Sequence, residues 1–148
     1  MNRRVNHAIR LSIIISAFSC VSCHGLRVYV NDKAPPAFTF DVGSFPECCT
    51  EFTTFAVFEE DSNRLLWRIV AKTIITRNQT DSLKIEYGSV PDKFLQEYPQ
   101  AGAPAELVAD KHYLAVAGAP SYVPWARVRF IIKDNGIETL PVSQGSLP

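Results

Sequence analysis

The chain has 148 residues, of which 47% are hydrophobic and 20% charged, with 15 basic residues set against 15 acidic ones. That length allows one domain of ordinary size, and that balance excludes a disordered chain. All the acidic residues lie after Asn31, and no basic run occurs, so nucleic acid finds no electrostatic footprint.

The chain opens MNRRVNHAIR LSIIISAFSC VSCHG, with Arg3, Arg4 and Arg10 ahead of the apolar run Leu11 to Phe18 and small residues behind it. This is the order of a secretory signal peptide. The run is short for a bilayer, so a permanent transmembrane helix is not expected. AFSC (residues 17–20) and CVSC (residues 20–23) each resemble the bacterial lipobox, in which small residues precede a cysteine that becomes a lipidated N-terminus. The resemblance implies an exported lipoprotein of the bacterial cell envelope, held to the membrane by an N-terminal lipid. Cys23 is the first candidate for lipidation and Cys20 the second. Ordinary cleavage near Ser22 or Gly25 is the alternative, with a soluble secreted or periplasmic product. The predicted division is a signal peptide at 1–22, a folded domain at 23–142 and a loose tail at 143–148. Removing the signal takes three arginines with it and leaves 12 basic against 15 acidic residues, a net charge of −3.

The folded part alternates at period two and is rich in β-branched and aromatic residues. LRVYV (26–30) predicts a first strand, closed by Asn31, Asp32, Pro35 and Pro36, and AFTFDV (37–42) predicts a second. GSFPECC (43–49) reads as a loop. FTTFAVFE (52–59) and LLWRIVA (65–71) flank EDSNR, a hairpin turn. KIEYGSV (84–90) is the next predicted strand. The stretch from Pro91 to Ala109 reads as a long connection in which DKFLQEY could form a helical turn. KHYLAVAG (111–118) and ARVRFIIK (126–133) predict two more strands. Asp134, Asn135 and Gly136 make a tight turn into a short last one at 137–140. No stretch carries helical periodicity over three turns.

About seven short strands in about 110 residues predict an all-β, single-domain, antiparallel two-sheet β-sandwich. Leu107 stands six residues before Tyr113 in LVADKHY, and Tyr113 opens an alternating strand. This resembles the tyrosine corner of fibronectin type III and immunoglobulin-like domains. The resemblance implies that the tyrosine hydroxyl bonds back to the backbone just upstream and that the leucine packs beneath it. The Cys…Trp…Cys spacing of antibody domains is absent, which disfavours a true immunoglobulin domain. An ordinary half-buried aromatic is the plainer reading of Tyr113.

If the strands run A, B, C, C′, E, F, G in sandwich order, the B–C loop (43–49) and the F–G loop (118–125) share one end. Cys48 and Cys49 would then lie near Tyr122 and Trp125. The adjacent cysteines suit a vicinal disulfide, pairing between chains or with Cys23, or simple packing as small hydrophobes. A metal site fits poorly, because adjacent side chains point apart on a strand and the only histidines after the signal are His24 and His112. Tyr122 and Trp125, stiffened by Pro120 and Pro124, offer rigid contact area for a partner. Alternatively, Trp125 caps the open end of the core. Asn78-Gln79-Thr80 matches a glycosylation sequon that matters only in a eukaryotic secretory pathway.

No hydrolase, metalloprotease, phosphate-loop or nucleotide motif occurs, so neither catalysis nor a cofactor is expected. The expected function is a non-catalytic exported binding or envelope-assembly module, with a protein partner in the envelope. The alternative is a redox or metal-handling protein that uses Cys48 and Cys49.

Overall fold

The computed structural model describes residues 26–42, 52–80, 82–118 and 126–142. The predicted signal peptide and tail, and with them Cys20, Cys23, Cys48, Cys49, Tyr122 and Trp125, lie outside the described residues. In chain order the elements are β1 (Leu26–Val30), β2 (Ala37–Val42), β3 (Phe52–Glu59), β4 (Arg64–Ile75), α1 (Arg77–Thr80), β5 (Lys84–Glu86), β6 (Phe94–Tyr98), β7 (His112–Gly118), β8 (Ala126–Lys133) and β9 (Gly136–Leu140). The described chain is nearly all β, in two antiparallel sheets. One has the order β1-β2-β5 and the other β6-β4-β3-β7-β8-β9.

Alternation explains why these sheets share one core. Phe38 and Phe40 of β2 point inward with Thr39 and Asp41 outward, and Phe55 and Val57 of β3 do the same in the larger sheet. The rings then meet across the layers. Phe38 lies 4.8 Å from Phe55 and 5.7 Å from Phe130, while Phe40 lies 5.7 Å from Phe55, all tilted or edge-on as ring quadrupoles prefer. Trp67 is fully buried and stacks edge-on against Phe55 and Tyr87. Its indole N–H donates to Gln96 Oε1 at 3.1 Å, so its one polar atom is satisfied.

The region from Pro91 to Ala109 departs from the sequence reading. DKFLQEY forms no helical turn; residues 94–98 are strand β6, paired with β4. Pro91 and Pro99 leave seven residues between them, too few for a stable helix. Phe94 and Gln96 face inward and Leu95 stands 59% exposed, the period-two pattern of a strand. Strand β4 also outruns its predicted end at Ala71, reaching Ile75, because Lys72 N donates to Lys93 O and Ile75 pairs with Phe52 at the start of β3. Conversely, β5 stops at Glu86. Gly88 takes φ +82° and Ser89 N donates to Glu86 O, a turn that cuts the strand short. The single-turn helix α1 is closed by Gln79, whose side-chain oxygen accepts from both the amide and the hydroxyl of Thr76. Its Thr80 is fully buried and donates to Thr76 O, so the sequon threonine serves packing.

The sheets are also tied at their margins. Ile137 N at the start of β9 donates to Asp32 O at 3.0 Å, just beyond β1. Gly136 makes this approach possible, since a Cβ there would collide with the Asp32 carbonyl oxygen, and φ at this residue is +141°. Gly136→Ala is expected to cost about 1–3 kcal/mol, read as a lower urea midpoint at unchanged slope. An unmoved midpoint would show that the β9–Asp32 contact contributes nothing.

Candidate functional site

The register fixes which connections share an end. Thr54 pairs with Gly118, and Ala117 pairs with Ala126, so the segments leaving β7 and entering β3 and β8 are neighbours. In the smaller sheet Leu26 pairs with Val42. Phe38 meets both Phe55 and Phe130, and the β1–β2 turn is bonded through Asp32 to Ile137, at the end of β8 away from Ala126. Strand β2 therefore runs toward the Gly118–Ala126 end. The entry to β1, the ends bounding 43–51 and the ends bounding 119–125 all converge there. Of the predicted site residues, only Leu107 and Tyr113 fall within the described structure.

Tyr113 is 2% exposed on β7, and its ring lies 5.4 Å from that of Phe130. Its hydroxyl accepts from Val108 N at 2.7 Å and donates to Val108 O at 3.1 Å. Leu107 is half-buried against the core. The hydroxyl thus closes the chain five residues back and ends the β6–β7 connection in a fixed place. Burial pushes the phenol's pKa up, against the opposing pull of the Val108 amide.

The opposite end carries most of the charge. Glu59, at the end of β3, is 8% exposed; its carboxylate accepts from Ser62 at 2.5 Å and pairs with Arg64 and Lys111, each at 3.3 Å. Glu60 pairs with Arg129 at 2.7 Å, and Asp61 with His112 at 3.3 Å. Asn63 takes the left-handed φ of +50° that this turn needs, a conformation asparagine tolerates. Arg64 stands only five residues from Glu59, but Lys111, His112 and Arg129 come from the far side of the chain, out of reach of a local reading. The Ser62 hydroxyl, with Lys111 and Arg64, holds the Glu59 carboxyl below its ordinary range despite its burial.

Glu59 and Glu60 are thus answered by arginine and lysine, while Asp61 and His112 meet in the open, both side chains exposed. Among the described residues, no three histidine, cysteine or acidic side chains gather as a metal cluster. His112 lies six residues along β7 from Gly118, about 20 Å at 3.3 Å per residue. It therefore sits at the far end of the molecule from where residues 43–51 attach.

Compared with protein-family models, curated proteins and solved structures, the chain matches none.

Two outcomes follow. Tyr113→Phe removes both bonds to Val108 and should lower stability by about 1–2 kcal/mol in denaturant unfolding, with the core otherwise unchanged. Because the folded pKa of Glu59 is depressed, its contribution is present above the unfolded value of 4.5 and is lost as pH falls through 4.5 toward the lower folded value. Glu59→Gln should flatten that acid limb of the melting-temperature profile, and a limb of undiminished slope would assign the acid sensitivity to other carboxylates.

Proposed function

We propose that this protein is a non-catalytic binding or assembly module of the bacterial envelope, exported and lipid-anchored at Cys23. In this reading its fold is a fibronectin-III-like or immunoglobulin-like sandwich. Strand order supports the architecture. Lettered along the chain, β1, β2 and β5 take the places of A, B and E, and β4, β3, β7 and β8 those of C′, C, F and G. On this assignment β6 and β9 are additions at the two edges of the larger sheet. The pair of hydrogen bonds between the Tyr113 hydroxyl and the Val108 backbone supports it further.

The observation that carries the functional reading is the convergence of the chain ends bounding 43–51 and 119–125, through the Thr54–Gly118 and Ala117–Ala126 pairs. Those two segments supply Cys48 and Cys49 on one side and Tyr122 and Trp125 on the other. Large aromatic side chains between prolines are economical anchors for a partner. The entry to β1 adds a constraint. Leu26 begins at the same end, and the three residues from Cys23 span at most about 10 Å. A lipid on Cys23 would hold the loop end against the membrane, so the partner is one that presents itself at the bilayer surface.

Intact mass of the protein from the producing cell's membrane fraction tests the anchor. A diacylated N-terminus at Cys23 is expected, and an unlipidated product would remove it. Cross-linking in the same membranes tests the recognition. Trp125→Ala should abolish partner capture while the double variant Cys48→Ser, Cys49→Ser retains it. The reverse pattern would transfer the function to the thiols.

A further inference from the structure

At the end remote from the β1 entry, residues from four separate segments enclose a groove of about 530 Å³. Its walls are Pro35 and Pro36 from the β1–β2 turn, Tyr87 beyond β5, Pro104 and Leu107 from the β6–β7 connection, and Ile132 of β8. That volume falls in the range of small-molecule sites, and the walls are apolar as such sites are.

The groove is held open by bonds that do not involve a ligand. Tyr87 donates its hydroxyl to Ala105 O at 2.7 Å, and its ring rests edge-on against the buried Trp67. Gln96 donates to both Pro99 O and Gly102 O at 2.8 Å, and Tyr113 fixes Val108. The strap from 99 to 108 is therefore pinned at its start, middle and end. Gly88 turns the opposite lip at φ +82°, a left-handed conformation that favours glycine. A preformed site of this kind loses little ordering entropy when filled.

Its side-chain charge is one-sided. The three prolines have no backbone N–H to offer, and the Tyr87 proton is already spent on Ala105. The one charged residue of the lining is Glu106, an exposed carboxylate that has no ion-pair or hydrogen-bond partner among the described residues. Nearby, Asp110 and Lys133 pair with each other at 2.9 Å and leave Glu106 unanswered. A groove whose one charged lining residue is a free carboxylate favours a cation over an anion. We propose that this groove binds a small organic cation with an apolar body, its ammonium or guanidinium group toward Glu106 and its body across the prolines and Tyr87. The site is independent of the loops and of the lipid anchor at the other end.

The test titrates the full-length ¹⁵N-labelled protein with two probes of one frame and opposite charge, phenethylammonium and 3-phenylpropionate. Amide shifts at Gly88, Leu107 and Ile132 should appear with the cation at about millimolar affinity. The anion should bind about three- to five-fold more weakly, the scale of a solvent-exposed charge pair. Glu106→Gln should make the two probes equal, and Glu106→Lys should reverse their order. Shifts confined to other residues, equal binding of the two probes, or a preference that survives Glu106→Gln would overturn the proposal. Both variants change an exposed side chain, so unchanged amide spectra without ligand will show that folding is intact.

Discussion

Everything in this molecule hangs on the ring contacts between β2 and the larger sheet. A three-stranded sheet with a strand of only three residues at one edge has little stability alone. Phe38, set between Phe55 and Phe130, supplies its attachment. Those contacts do more than bury area. By seating Phe38 against Phe55 and Phe130 and Phe40 against Phe55, they fix the stagger of one sheet on the other, and so decide which connections share an end. Slip the register of β2 by one residue and Thr39 and Asp41 would turn inward, which the buried site cannot satisfy.

What sequence could express follows from the range of the interactions. Strands β2, β3, β7 and β8 are legible because each carries its own alternation, such as Val128 and Phe130 against Arg127 and Arg129. The hairpin between β3 and β4 is legible for the same reason, with its polar turn between apolar runs. Strand β6 was not, because its claim to be a strand rests on a partner. Gln96 looks like a polar break in FLQEY until the Trp67 indole is placed against it, at a separation of 29 residues. The extension of β4 to Ile75 has the same origin, since KTI is polar at the front and gains its order from Lys93 O. Of the candidate site, the Leu107–Tyr113 spacing was visible as a local pattern. The groove was not, because its walls come from residues 34 to 132 and share no periodicity.

Charge is distributed with the same economy as apolar area. Buried carboxylates are costly unless they are answered, and Glu59 is answered three times. Arg129 serves a second purpose, since its guanidinium also donates to Pro141 O and fastens the end of β9. Proline at that position stops the edge strand from extending further. On the outer side of the larger sheet, Leu114 lies directly across from Arg129 and is only 8% exposed. Long charged side chains of this kind cover apolar surface with their stems while their heads stay in water.

The two ends of the molecule therefore make different demands on a partner. At the loop end, contact rests on Tyr122 and Trp125 in the proposed reading, and on whatever lies within reach of a tether of about 10 Å. The other end carries the ion pairs of the β3–β4 turn and the groove, where Glu106 has no ion-pair partner among the described residues. Strands β7 and β8 run the length between them and join the two through a single rigid sheet. Occupancy of the groove cannot shift the loops by bending that sheet, since its inner face is packed at Ala115, Ala117, Val128 and Phe130. Any coupling between the ends would have to pass through the strap at 99–108. It is pinned by the hydroxyls of Tyr87, just beyond β5, and of Tyr113 on β7. If both proposals hold, the sheet between them keeps the two surfaces independent.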